Sequence, residues 1–249
     1  MFVIVCVSNS FSQNKEFGVH YDKKGTVKQD DKRELELIFK GAEQGDANVQ
    51  YNLGIIYNLG LGIEQNYKLG VKWFRKAAEQ GYAPGQNSLG AMYLSGDGIE
   101  QNNKEALKWF RKAAEQRYAM AERNLGIIYG QGSGGLKKDY KKAAEWFRKA
   151  AEQGDTEAQH HLGELYSNGQ GVQQDDKKAL EWLLKAVYQE NPVAQFTLAL
   201  WYLNGKVLEK DGKKAIEWFN KAADAGNVKA QYNPWCYVYQ WLRRTGKGL

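Results

Sequence analysis

The stretch Lys72-Trp73-Phe74-Arg75-Lys76-Ala77-Ala78-Glu79-Gln80 decides the fold, because it does not occur once. It returns almost letter for letter at 108–116 and 145–153, and in eroded form around Trp182 and Trp218. Trp73, Trp109, Trp146, Trp182 and Trp218 follow one another at 36, 37, 36 and 36 residues. A fixed period in this range marks a solenoid of stacked supersecondary units, each too small to bury its apolar face alone. The 249 residues therefore read as one array rather than as two ordinary domains.

Composition fits a helical array. Hydrophobic residues make up 43% and aromatics 13%, enough for a core, and prolines number only 3. The net charge of +6 is unevenly placed: residues 1–46 carry −1, residues 47–227 carry +3 and residues 228–249 carry +4. A nearly balanced repeat body argues against a basic groove for phosphates, so no nucleic-acid partner is expected. The 2 cysteines, Cys6 and Cys236, lie outside every complete repeat and build neither a disulfide framework nor a metal site.

Residues 1–30 read as a flexible N-terminal segment. The apolar run Phe2–Val7 is too short to cross a membrane, which takes about 20 residues. Ser10-Phe11-Ser12 has the small-x-small form of a cleavage site, so this segment is read either as the remnant of a signal peptide or as a weakly docked terminus. Compartment is left open: cytoplasmic, or secreted or periplasmic if an upstream start completes the signal. Over 31–46, Leu35, Leu37, Ile38 and Ala42 recur at helical spacing. They predict a capping helix, the second half of a repeat whose first half is missing.

Five complete repeats follow, at 47–82, 83–118, 119–155, 156–191 and 192–227. The seventh residue is Leu in each (Leu53, Leu89, Leu125, Leu162, Leu198), the eighth Gly54, Gly90, Gly126, Gly163 or Ala199, and the eleventh Tyr57, Tyr93, Tyr129, Tyr166 or Tyr202. At 100° per residue these share one face of a first helix. A mid-helix glycine costs about 1 kcal/mol against alanine, so its recurrence implies a second helix passing too close for a Cβ. Paired loop glycines such as Gly60 and Gly62, or Gly169 and Gly171, predict positive φ. A branched residue then closes the loop: Ile63, Ile99, Leu136, Val172 or Leu208. The second helix is expected to open on an N-cap at Asn66, Asn102, Asp139, Asp175 or Asp211, with a capping box between Asn102 and Glu105. It is expected to end on Gly81, Gly154 and Gly226, with Arg117 and Asn191 in the other two copies. The tryptophan column is expected to be core.

This pattern, A-x-x-x-x-x-L-G-x-x-Y-x-x-G-x-G-[IV] followed by [ND] and K-A-x-x-W-[FL]-x-K-A, resembles the Sel1-like repeat family, relatives of the tetratricopeptide repeats. The resemblance covers 47–227 and the capping helix. It implies an all-α, right-handed α-α superhelix used as an adaptor or scaffold, and no enzyme. A cysteine-rich branch of that family, linked to β-lactam binding, is a poor match, since no full repeat here contains cysteine.

Residues 228–249 start a sixth repeat, Val228-Lys229-Ala230-Gln231-Tyr232-Asn233, and then break off into Pro234-Trp235-Cys236-Tyr237. Deleting one base from a permitted codon choice restores Leu-Gly-Val-Met-Tyr-Thr-Asn-Gly, in register with the other copies. The tail reads as a frameshifted sixth repeat, or else as a divergent cap.

Chemistry is sparse. Ser12 and Lys15 fit a Ser-x-x-Lys motif without its supporting elements. The loop 130–135 is a stretched repeat loop, not a phosphate loop. His20, His160 and His161 are the 3 histidines; two neighbours on a helix point about 100° apart, so no shared metal and no cofactor is expected.

Binding is expected on the first helices, at repeat positions 2, 5, 9, 12 and 13, which the resemblance places in a concave groove. The candidate residues are Asn48, Tyr51, Asn58, Asn87, Leu94, Arg123, Gln131, His160, Glu164, Asn168, Phe196, Leu200 and Asn204. These vary between copies while the core positions do not, as suits a peptide or protein partner. Replacing Tyr51, Arg123 and Phe196 together is expected to abolish capture without loss of stability. The alternatives are a hydrolase-like or β-lactam-binding protein, and a structural array that self-associates through its C-terminal stack end. No membrane partner is expected.

Overall fold

Two kinds of helix alternate along the chain, each fixed by its own caps. A computed structural model describes residues 29–232, which hold helices and loops and, among the described residues, no strand. α1 (Gln29–Glu43) is the capping helix. The first helices of the repeats are α2 (Ala47–Leu59), α4 (Ala83–Ser95), α6 (Ala119–Gln131), α8 (Thr156–Asn168) and α10 (Pro192–Asn204). The second helices are α3 (Tyr67–Glu79), α5 (Asn103–Glu115), α7 (Tyr140–Glu152), α9 (Asp176–Tyr188) and α11 (Gly212–Asp224), and a short α12 (Val228–Tyr232) follows. Two compact units result: residues up to Ile128 with 132–137, and 129–131 with residues from Lys138 on. In the first, α1 to α5 pack each on the next; in the second, α7 to α12 do the same. This succession of helix pairs is that of an all-α solenoid. The signal-peptide reading, the Ser12/Lys15 pair, His20 and the frameshift reading after Asn233 lie outside the described residues.

Every second helix opens as its sequence predicts. The side chains of Asn66, Asn102, Asp139, Asp175 and Asp211 accept from backbone N–H groups of the first turn, as in Leu69 N to Asn66 Oδ1 at 3.0 Å. The backbone N–H of the same residue closes the hairpin. It donates to the carbonyl of the repeat's tyrosine: Asn66 to Tyr57 and Asn102 to Tyr93 at 2.8 Å, Asp139 to Tyr129 at 2.9 Å, Asp175 to Tyr166 at 3.1 Å, Asp211 to Tyr202 at 3.0 Å. This bond overturns the expected capping box. The Asn102 N–H is already taken, and Glu105 instead pairs with Lys108 at 3.2 Å.

The second helices end on a left-handed residue, which lets the following N–H bond back five residues, as Tyr82 does to Ala77 at 3.1 Å. Gly81, Gly154 and Gly226 take that place with φ of 87°, 94° and 89°. Arg117 takes it at 59°. The fourth copy differs from expectation: Glu190 is the left-handed residue, also at 59°, and Asn191 is the N-cap of α10. The expected position was one residue late.

The conserved-looking glycines have steric causes. A Cβ on Gly54 would lie 2.6 Å from the Phe74 ring, and one on Gly163 would lie 3.0 Å from the Ala179 carbonyl oxygen. The loop glycines have positive φ, as at Gly98 and Gly171, both 69°. A Cβ on either would strike the backbone of Tyr67 or Tyr140, at the start of the preceding repeat's second helix.

The core is shared differently from expectation. Phe74, Phe110, Leu183 and Phe219, each next to its tryptophan, are fully enclosed, together with the first-helix Leu53, Leu89, Leu125 and Leu162. Trp73 and Trp109 are part of the buried core, as expected, whereas Trp146, Trp182 and Trp218 are half-buried at its edge. A lysine three residues on lies over each ring, at 4.4 Å for Lys76, 4.3 Å for Lys112, 4.0 Å for Lys149, 3.9 Å for Lys185 and 4.2 Å for Lys221. The repeated Trp-x-x-Lys spacing is thus a lid on the indole, which the periodicity alone did not show.

Candidate partner-binding surface

First and second helices differ in charge. α2, α4 and α10 contain no Asp, Glu, Lys or Arg, α6 contains only Glu122 and Arg123, and α8 only Glu157 and Glu164. α3 alone carries Lys68, Lys72, Arg75, Lys76 and Glu79. A second helix buries one stripe and shows water the other, so it is amphipathic. A first helix is packed on two sides. It faces its own second helix, and α2, α4 and α8 also touch the first helix of the next repeat, α4, α6 and α10. The contrast is legible in the sequence once first helices are set against second helices, rather than copy against copy.

That second contact displaces part of the expected groove. Position 5 is buried in every copy: Tyr51 at 4% exposure, Asn87 at 1%, Arg123 at 4%, His160 at 5% and Phe196 at 7%. In two copies it meets position 6 of the following repeat. Asn124 Nδ2 donates to Asn87 Oδ1 at 2.9 Å, and His160 Nε2 lies 2.8 Å from Thr197 Oγ1. Tyr51 packs edge-on against Tyr82 at 5.6 Å, and the Phe196 ring is tilted against Phe219 at 5.3 Å. Asn58 is buried as well. The residues that remain accessible are Asn48, Gln131, Asn168 and Asn204, exposed, and Leu94, Glu164 and Leu200, half-buried. Leu59 and Val193 add exposed apolar surface at 39% and 46%. In the first unit the open strip therefore runs over Asn48, Leu59 and Leu94; in the second, over Glu164, Asn168, Val193, Leu200 and Asn204.

A glutamine ladder also escaped sequence reading. Gln50, Gln86 and Gln159, at position 4, donate to the carbonyls of Ala42, Ala78 and Ala151 near the end of the preceding helix, at 3.0, 3.2 and 3.2 Å. Each in turn accepts from Gln80, Gln116 or Gln189 at 2.8 to 3.0 Å. Gln recurs visibly at this position, but periodicity assigns it no partner. Away from the first helices, the second unit has a cleft of about 340 Å³ lined by Arg148, Tyr166, Val172, Gln173, Gln174, Asp175 and Lys178.

On α8 the three groups His160, His161 and Glu164 come together, and their ligating atoms lie within 4.8 Å of one another. The expectation that the adjacent histidines diverge misses Glu164, which stands one turn on from both. Burial holds the His160 imidazole down to about 4, against the pull of Glu164 and with some help from His161. Burial raises the Glu164 carboxyl, but the His161 imidazole, His160 and Lys206 outweigh it and leave it below the usual range.

These features define a class: an all-α repeat protein of helix pairs whose second helices carry the charge and whose first helices carry variable, mostly uncharged strips. The Sel1 repeat model matches residues 47–82, 83–118, 119–155, 156–191 and 192–227. The chain belongs to the Sel1 repeat family, whose members are generally protein-interaction scaffolds. It is similar to a solved Sel1 repeat protein from Oxalobacter formigenes, at 34% identity and TM-score 0.70, over 82% of this chain and 87% of that one. It is also similar to c5321, a protective antigen of uropathogenic Escherichia coli, at 33% identity and TM-score 0.69, over 85% of this chain and 48% of that one. The chain thus spans about half the length of c5321. The immunity protein Pa5087 of Pseudomonas aeruginosa shares the fold, at 21% identity and TM-score 0.54, over 81% of this chain and 75% of that one. Among curated proteins none matches. Among the described residues no helix is long and apolar enough to cross a membrane.

Proposed function

We propose that this chain is a scaffold that binds a peptide or protein through the open strips of its first helices. The observation that carries the reading is the absence of charge. Three of the five first helices have no ionisable acid or base beyond tyrosine, yet they expose Leu59 and Val193 and the amides of Asn48 and Asn204. Depletion of charge at the centre of a patch, with apolar and amide groups kept, marks protein interfaces rather than solvated surface. The buried position-5 residues act beneath this surface and set its shape. Tyr51, Arg123 and Phe196 are therefore unsuited as probes, because removing them empties packed space and destabilises the fold.

The test is selection of a displayed random peptide library on the full-length chain. Selected peptides are then measured against Asn48→Arg with Leu59→Asp in the first unit, and Val193→Asp with Asn204→Arg in the second. Loss of binding in either pair, with helicity unchanged, supports the reading. Selected peptides that ignore both pairs, or no enrichment at all, overturn it.

A further inference from the structure

We propose that His160, His161 and Glu164 form a binding site for one divalent transition-metal ion of the imidazole-preferring kind, such as Zn²⁺. Nothing in the partner-binding reading requires this site. His160 Nε2 lies 3.8 Å from Glu164 Oε1, and His161 Nδ1 lies 3.7 Å from Glu164 Oε2. The carboxylate faces both rings at these distances, which are longer than those of well-made hydrogen bonds. They are close to what an ion needs. Ligand bonds of about 2.0–2.2 Å in a tetrahedral shell place neighbouring ligand atoms about 3.3 Å apart. All three ligating atoms lie within 4.8 Å of one another, so closing the shell draws them together by up to about 1.5 Å.

Two of the three ligands are held in place. His160 is buried and its Nε2, the nitrogen that would ligate, sits beside Thr197 Oγ1, in the next repeat, at 2.8 Å, so uptake exchanges that hydrogen bond for the ion. The His161 ring stacks on Phe147 with centroids 4.9 Å apart. The stacking fixes the plane of the His161 ring. The third ligand faces outward, with 45% of the Glu164 side chain and 31% of the His161 side chain exposed. That side gives the ion its entry path and leaves a fourth position for water. Two imidazoles and one carboxylate select zinc, copper or nickel over calcium and magnesium, which prefer oxygen shells. Lys206 is the nearby opposing charge, and its ammonium donates to Asn168 Oδ1 at 2.6 Å.

The experiment uses the untagged full chain stripped with chelator, titrated with Zn²⁺ by calorimetry and with Co²⁺ by visible absorption. One ion per chain, d–d bands of a four-coordinate site and a raised unfolding midpoint with Zn²⁺ are expected. Glu164→Gln and His161→Phe, the latter keeping the ring stacked on Phe147, are expected to lose this uptake, while Glu157→Gln on the same helix keeps it. No uptake by the native chain overturns the proposal. So does uptake that survives both Glu164→Gln and His161→Phe, which would place the ion elsewhere, His20 included.

Discussion

At Gly163 two opposing effects of one methyl group can be weighed. Alanine gains about 1 kcal/mol of helix propensity, but its Cβ would meet the Ala179 carbonyl oxygen at 3.0 Å and the Leu183 backbone nitrogen at 3.3 Å. Backbone does not yield as a side-chain tip does, and overpacking of this kind costs about 1–3 kcal/mol. Gly163→Ala is thus expected to destabilise the second unit by about 1 kcal/mol, read as a lower urea midpoint; a higher midpoint refutes the close approach. His160 supplies a pH dependence. Its imidazole is neutral when folded down to about pH 4, while in the unfolded chain it protonates below about 6.5. Between these values the unfolded state binds more protons, so stability is full above about 6.5 and falls as pH drops toward 4. For the metal-free chain the loss is of the order of 3 kcal/mol across that window, and His160→Gln is expected to flatten it in urea titrations at stepped pH. The glycine was legible in the sequence because five copies agree on a residue that helices disfavour. His160 was not, since its neighbours Thr197 and Glu164 belong to another repeat and another turn.

The elements were the most legible part. Helix starts could be read because Asn or Asp at an N-cap has a defined job for its side-chain oxygen. Helix ends could be read because the returning N–H requires a left-handed residue there. Of the two copies without glycine, Arg117 was placed correctly, and in the other the reading slipped by a residue, from Glu190 to Asn191. A non-glycine residue pays for the left-handed conformation by about 1–2 kcal/mol, and both Arg117 and Glu190 are exposed. Arg117→Gly and Glu190→Gly are therefore each expected to stabilise their helix end by about 0.5–1 kcal/mol. Differential scanning calorimetry checks this, and a lowered midpoint contradicts it. Contacts between elements were less legible. The burial of position 5 follows from the stacking of α2 on α4 and of α8 on α10, and a single-helix projection contains only one neighbour. For the same reason the tryptophans seemed central, although the residue after each lies deeper and a lysine covers the indole.

For the molecule as a whole, function follows from a division of labour between helix types. The second helices supply charge, caps and the indole–lysine lids. The first helices supply the Leu-Gly-Tyr core face and a strip whose side chains differ from copy to copy. Variation at positions that carry no structural duty is what a repeat family needs to bind different partners on one frame. The sequence showed that variation but located part of it wrongly, because solvent access depends on neighbours a repeat does not contain. Hydrogen exchange of the full chain with and without a library-selected peptide tests the division most directly. The account predicts slowed exchange confined to first helices, α2 and α4 or α8 and α10, with the second helices unchanged. Protection centred on the lysine-rich α3, α5, α9 or α11 would contradict it.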